Sequence, residues 1–190
     1  MRDLFAQLNS FCPMPEGLDE WLYRSVQIRR LNRKDFLVTG GKVNRNVYFI
    51  QSGLLRIYHV TGGKEISFSF AREKDLCVCL NSFFDGEYGI EYIQALKRTV
   101  VYYIDYEQLQ RAYAEFPGLN YPGRRLAEDY LLLLYRRVAG LWMQKASDKY
   151  RWTQKNHPWL LEKVPGKYLA SYMGMTPVML SRLKKTMPQC

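Results

Sequence analysis

Val164-Pro165-Gly166-Lys167-Tyr168-Leu169-Ala170-Ser171-Tyr172-Met173-Gly174-Met175-Thr176-Pro177-Val178-Met179-Leu180-Ser181-Arg182-Leu183-Lys184-Lys185 is the most informative stretch of the chain. Its spacing predicts two short helices joined by a tight turn. Ala170 is small enough for a second helix to cross close above it. Gly174, four residues on, suits a turn that needs positive φ. Thr176 is a good N-cap, and Pro177 is tolerated at the first helical position, where its missing N–H costs nothing. Leu180 and Leu183 then face inward, while Ser181, Arg182, Lys184 and Lys185 face water. This is the pattern of a helix-turn-helix, and it makes double-stranded DNA the expected partner.

The charge distribution agrees. The 190 residues carry a net charge of +10. Eight Lys/Arg and one acid, Glu162, lie from Lys149 onward, so about seven of those charges sit in the last quarter of the chain. A basic tail beside a near-neutral body suits a polyanion, although a solvated basic surface would look the same by charge alone. At 47% hydrophobic and 15% aromatic, the chain has enough apolar surface for a core and too much for disorder.

Upstream, the hydrophobic period changes twice. Leu4, Phe5, Leu8 and Phe11 give an apolar helix face. Pro13 and Pro15 interrupt it, and Leu18, Trp21, Leu22, Ser25 and Val26 resume it, so helix is expected to about Arg30. Asp35 to Ile104 reads as strands. Val47-Tyr48-Phe49-Ile50 and Leu54 to Val60 flank Gln51-Ser52-Gly53. Thr61-Gly62-Gly63-Lys64 is a hairpin signal, Glu65 to Phe70 alternates, and Thr99 to Ile104 is β-branched and aromatic. Short strands with Gly-rich turns imply a sandwich, barrel or jelly roll. Helix resumes at about Asp105.

From Arg124 to Lys145 a long helix is predicted. Ala127, Leu131, Leu134, Val138 and Leu141 are spaced four, three, four, three, as in a coiled-coil seam. The expectation is a homodimer helix, against the plainer reading of an ordinary core helix. A further short helix starts at Ser147-Asp148 and ends near Asn156-His157-Pro158.

The order of strands, long amphipathic helix and helix-turn-helix resembles the Crp/Fnr family over nearly the whole chain. Val47 to Tyr58 resembles the β-roll segment of cyclic-nucleotide-binding-like domains. Ser82-Phe83-Phe84, Ile93-Gln94-Ala95-Leu96 and the C-terminal helices resemble short members common in Bacteroidetes. The implied fold class is α+β. It comprises a sensor β-roll of double-stranded β-helix or jelly-roll type over 1–118, a dimerisation helix over 119–146 and a helix-turn-helix domain over 147–190. The implied activity is DNA-binding transcription regulation.

The geometry of a helix-turn-helix on DNA suggests roles for particular residues. Arg182 would read guanine in a bidentate contact, with Thr176, Val178 and Met179 at the helix end that meets base edges. Val178 stands where relatives often carry an acid, which favours a thymine methyl instead. Lys167, Ser181, Lys184 and Lys185 would contact phosphates. The C-terminal wing of relatives is expected to be shortened.

Family members that bind cyclic AMP use a Gly-Glu pair for the ribose and an Arg-Ser pair for the phosphate. Those positions fall near Val78 and Cys79, and near Gly89 and Ile90, so neither chemistry is present. An effector other than cyclic AMP, or none, is expected, with Phe68, Cys79, Ser82, Gly89 and Ile90 as candidate pocket residues. Lys97 and Arg98 are cations near in sequence but on a strand that should place them elsewhere.

No cofactor and no metal are expected. Cys12 alone cannot hold an iron–sulfur cluster, and Cys77 and Cys79 read as reduced structural thiols, as does the isolated Cys190. His59 and Cys77 are of haem-ligand type, yet a lone strand histidine is more simply a surface or core residue. There is no G-x-S-x-G, P-loop, H-E-x-x-H or G-x-G-x-x-G, so no catalytic residue is assigned. The N-terminus has no apolar signal segment, and no run is long enough to span a membrane, so a cytoplasmic protein without membrane contact is expected. RNA polymerase is a candidate partner if the protein activates. The rival reading is a ligand-binding β-roll module whose degenerate helix-turn-helix mediates protein contacts.

Overall fold

The computed structural model of the protein describes residues 2–187; Cys190 lies outside them. Helices α1 (Arg2–Asn9) and α2 (Leu18–Ser25) lead into eight strands: β1 (Gln27–Leu31), β2 (Phe36–Val38), β3 (Asn46–Ser52), β4 (Leu54–Thr61), β5 (Lys64–Arg72), β6 (Leu76–Val78), β7 (Tyr92–Ala95) and β8 (Thr99–Asp105). A short helix, α3 (Leu80–Asp85), lies between β6 and β7. The chain ends in α4 (Tyr106–Glu115), a single 3-10 turn at Pro117–Leu119, α5 (Asn120–Trp142), α6 (Ala146–Asn156), α7 (Pro158–Lys163), α8 (Gly166–Met173) and α9 (Pro177–Thr186).

The strands form two four-stranded sheets, ordered β1-β8-β3-β6 and β2-β7-β4-β5. Leu31, Ile50, Leu55, Ile57, Ile93, Ala95 and Val101 are buried between and around them. Gly62 and Gly63, both at positive φ, make the two-residue turn that joins β4 to β5. A two-residue turn with both φ positive matches the twist of the strands it links. Asp105 caps α4 through a capping box with Gln108. The first helices close one end of this region: Leu8, Leu18, Leu22, Ala112 and Leu119 form a buried cluster, with Leu126 packed against it.

Three expectations need correction. Helix does not run to Arg30; it stops at Ser25, and Gln27–Leu31 pairs residue by residue with Tyr103–Thr99 of β8. Pairing with a β-branched and aromatic strand outweighs the local helical period, which itself fades after Val26. Arg29 secures this edge strand by donating to the Leu37 and Phe36 carbonyls, at 3.1 and 3.0 Å. The strand region is also interrupted by α3, ended by Gly86 in the left-handed region. Finally, the long helix starts four residues before Arg124 and stops at Trp142 rather than Lys145. Pro122 falls in its first turn, where no intrahelical donor is required.

The chain forms two compact units. One comprises residues 1–59 and 69–127; the other comprises 60–68 and 128–190. In the second, Tyr150, Thr153, Leu160, Leu161, Val164, Leu169, Ala170, Met173 and Leu180 are buried within a small group of helices.

Candidate functional site

Helix α8 ends in a Schellman motif. The Gly174 N–H donates to the Ser171 carbonyl at 3.1 Å and the Met175 N–H to the Ala170 carbonyl at 3.0 Å, with Gly174 at φ +64. These two bonds satisfy carbonyls that a helix end otherwise leaves open, and the left-handed residue turns the chain back sharply. Thr176 then starts α9, its Oγ1 accepting from the Met179 N–H at 3.2 Å. Ala170 is fully buried at the crossing and Leu180 pins α9 from beneath.

The opposite side of α9 faces solvent. Val178 is 61% exposed, and Met179, Ser181, Arg182, Lys184 and Lys185 are exposed with it. Thr176 and Lys167 are exposed as well, and Leu183 is half-buried. The Arg182 side chain makes no ion pair among the described residues. Lys184 Nζ lies 3.4 Å from the Leu161 carbonyl, so part of its donor capacity is directed inward. Lys167 stands over the Tyr168 ring at 5.1 Å. Seven of the eight residues nominated for DNA therefore present side chains outward without an internal tether to a backbone carbonyl.

Helix α5 exposes a different chemistry. Leu131 is 66% exposed, Val138 and Leu141 are exposed, Ala127 is exposed and Leu134 is half-buried. The apolar face is wider than the nominated seam, because Leu132, Tyr135 and Trp142 are exposed too. Their spacing of three and then seven is itself helical, a signal that a search for one seam passes over.

The β-roll interior gathers only some of its nominated residues. Cys79 and Ser82 are buried, and Ser82 Oγ donates to the Glu87 carbonyl at 2.6 Å. Gly89 is buried beside them: a Cβ there would sit 3.0 Å from both Ser82 Oγ and Glu91 Oε2. Ile90, in contrast, is 66% exposed, and half-buried Phe68 groups with the other unit. Tyr48 and Glu91, which sequence reading passed over, join this interior. Tyr48 pairs with Cys77 across β3 and β6, and its hydroxyl is held by Asn44 and Asn46 at 2.9 and 3.2 Å.

Burial raises the Tyr48 phenol above its ordinary value. Burial, with Glu91 adding, pushes the Cys79 thiol up to about 12. Burial also raises Cys77, with Cys79, Asp75 and Glu91 contributing. Both thiols are therefore neutral at pH 7, and Cys12, Cys77 and Cys79 are free. Glu91 Oε2 is buried with no hydrogen-bond partner among the described residues. Arg56, only 1% exposed, alternates with Leu55 and Ile57 along β4 and lies over the Tyr58 ring at 4.2 Å. It pairs with Gln94 rather than with Ile93, which places it on the sheet face away from Ile57 and Ile93.

Comparison with known proteins follows the same division. Residues 28–116 match the cyclic nucleotide-binding domain family. No curated protein sequence matches the chain. Among solved structures, a mutant of CooA from Carboxydothermus hydrogenoformans is similar with TM-score 0.67 and 21% identity, over 92% of this chain and 85% of that one. The c-di-GMP responsive global regulator CLP of Xanthomonas campestris is similar with TM-score 0.69 and 17% identity, over 90% and 91%. The catabolite activator protein of Thermus thermophilus is similar with TM-score 0.52 and 20% identity, over 95% and 85%. The chain thus has the fold of these proteins: a cyclic-nucleotide-binding-type β-roll followed by helices. Among the described residues, no helix is long and apolar enough to cross a membrane.

Proposed function

We propose that the protein is a sequence-specific DNA-binding transcriptional regulator of the Crp/Fnr type, that it acts as a homodimer, and that its β-roll senses an effector other than cyclic AMP. The observation that carries this reading is α9. It is anchored by buried Leu180, fixed at its start by the Thr176 cap, and lined on its free side by Val178, Met179, Ser181, Arg182 and Lys185. A helix of this kind is suited to the major groove, its N-terminal residues on base edges. Arg182 is the reader of guanine, Val178 and Met179 the contacts to thymine methyls, and Lys167, Ser181 and Lys185 the phosphate contacts. Lys184 contributes more weakly because it is also directed at Leu161.

The exposed apolar face of α5 supports dimerisation. An exposed stripe holding Leu131, Leu132, Tyr135, Val138, Leu141 and Trp142 is more than a soluble monomer normally leaves in water. In a two-fold dimer each protomer presents one α9, and two such helices fit successive major grooves about 34 Å apart.

The β-roll interior supports exclusion of cyclic AMP. A buried cyclic phosphate needs a cation or a nest of N–H donors. Gly89 brings no side chain, Cys79 is a neutral thiol, and Lys97 and Arg98 are exposed. Glu91 adds a buried acceptor oxygen, which repels phosphate. CLP, described as responsive to c-di-GMP, illustrates that this fold serves effectors other than cyclic AMP.

The test is a selection from random duplex DNA with the purified protein at two salt concentrations. Enrichment of a palindrome with half-sites about one helical turn apart is expected. Binding without sequence preference that vanishes at the higher salt would contradict the proposal, because it needs only a basic surface.

A further inference from the structure

Four turns meet at one end of the β-roll, all within the unit formed by residues 1–59 and 69–127. Leu31 pairs with Thr99, and Ser52 with Val100, so the turns at 32–35, 52–54 and 96–99 are neighbours. The Ile50 N–H donates to the Asp75 carbonyl at 3.0 Å, which brings in the turn at 72–75. Two of the four are built alike. In one, the Asn32 N–H donates to Asp35 Oδ2 at 2.8 Å; in the other, the Arg72 N–H donates to Asp75 Oδ2 at 2.8 Å. The first holds Lys34 at φ +78 and the second Lys74 at φ +71. Their N–H groups donate to the Ala95 and Ile50 carbonyls at 2.7 and 2.8 Å.

Among the described residues these two lysines are the only non-glycine residues at positive φ. A β-carbon is strained there, and glycine is not. Each turn is closed by its aspartate and its backbone, and neither lysine ammonium has an ion pair or hydrogen bond among the described residues. Strain kept for a side chain that the fold itself leaves idle points to a use outside the fold. The neighbours are cations as well. Arg30, Arg33, Arg72, Lys97 and Arg98 are exposed at the same end as Lys34 and Lys74. These are seven of the twenty Lys/Arg in the first 148 residues, beside three of the seventeen acids, Asp35, Glu73 and Asp75; the remaining thirteen and fourteen nearly cancel.

We propose that this end of the β-roll is a docking surface for an acidic segment of a partner protein. Its charge is complementary to such a segment, and complementary charge steers and orients association. The pattern favours a peptide over nucleic acid. The four turns contain no aromatic side chain to stack on a base. Asp35, Glu73 and Asp75 are interspersed with the cations, and their carboxylates repel the continuous phosphate backbone of a duplex. Carboxylates of a peptide are discrete and can be spaced to meet the cations between them. Arg30, Arg33 and Arg98 offer planar forks that match carboxylate geometry. None of these residues is assigned to DNA, so the inference does not depend on the reading of α9.

The probe is a labelled octaglutamate peptide, titrated against the full-length protein by fluorescence anisotropy at about 50 mM salt. One variant combines Arg33→Glu, Lys97→Glu and Arg98→Glu at the turns. The control combines Arg182→Glu, Lys184→Glu and Lys185→Glu on α9, because any basic surface attracts the peptide to some degree. The turn variant is expected to weaken the peptide at least about tenfold, and the α9 variant less than about twofold. Loss in the α9 variant alone, or no binding by the unmodified protein, would overturn the proposal. So would an equal loss of affinity for the selected duplex in the turn variant, which would make this end a nucleic-acid surface. Lys34→Gly combined with Lys74→Gly separates binding from folding. Glycine relieves both left-handed residues, so the thermal midpoint is expected to hold or rise while the peptide weakens about threefold or more. Unchanged peptide affinity in this variant, or a lowered midpoint, would overturn the proposal as well.

Discussion

Helices α5 and α9 both leave a full face in solvent, and the two faces have opposite chemistry. That of α5 is leucine, valine, tyrosine and tryptophan; that of α9 mixes two apolar side chains with serine, arginine and lysine. Exposure alone is therefore uninformative about the partner. An apolar stripe is compensated only by burying it against another apolar surface. A basic face is already solvated and gains chiefly by displacing the counterions of a polyanion. On the proposed reading the α5 face is covered by protein and the α9 face by nucleic acid.

The sharpest separation of the two is by salt. Raising it from about 50 to 200 mM is expected to weaken DNA binding by roughly 10²-fold or more, given several phosphate contacts per dimer, and to leave dimerisation nearly unchanged. Equal sensitivity in both would mean that the α5 contact is electrostatic and the contrast false. Filter binding and sedimentation over the same salt series provide the two readings.

Leu134→Glu comes next. It places a charge in the seam twice per symmetric dimer and, with Leu134 already half-buried in the protomer, removes about 1.5–3 kcal/mol of apolar burial, so the dimer dissociation constant should rise at least about 10-fold. Sedimentation equilibrium checks this; an intact dimer would move the interface to the stripe of Leu132, Tyr135 and Trp142 or off α5. Arg182→Ala should cost about 1–3 kcal/mol in specific DNA affinity and relax the preference at one base pair, without shifting the dimer constant. Unchanged affinity would remove Arg182 from the interface. Gly174→Ala is the mildest. A β-carbon there meets no backbone, only the Lys149 Nζ at 3.6 Å, so its cost is the left-handed φ, about 1–2 kcal/mol of stability. It should lower the thermal midpoint more than it lowers affinity measured well below that midpoint.

How much of this was legible in the sequence depends on the range of the forces involved. The turn at Gly174, the Thr176 cap, the Gly62-Gly63 turn and the Asp105 helix start are local, and the residues that make them lie within four positions of each other. Strands β3 to β5 are legible because their alternation is uninterrupted. Strand β1 is not, since only its pairing with β8, some seventy residues away, makes Gln27–Leu31 extended. The β-roll interior is half legible. Cys79, Ser82 and Gly89 do converge, but Glu91 and Tyr48 enter through strand register, and Ile90 turns outward just where its neighbour turns in. Arg137 was invisible. In sequence it is the second of two arginines on an amphipathic helix, and only the carbonyls of Ser67 and Phe68, seventy residues earlier, distinguish it from exposed Arg136.

The central claim is that two α9 helices on one dimer read successive major grooves. Inserting about 5 bp between the half-sites of the selected palindrome tests it most directly, because half a helical turn puts the second groove on the far side of the duplex. A symmetric dimer predicts that the inserted duplex binds at least about 100-fold more weakly, and that a full-turn insertion of about 10 bp recovers part of the loss. Equal affinity for the original and the half-turn duplex would contradict it, leaving each protomer to bind DNA alone.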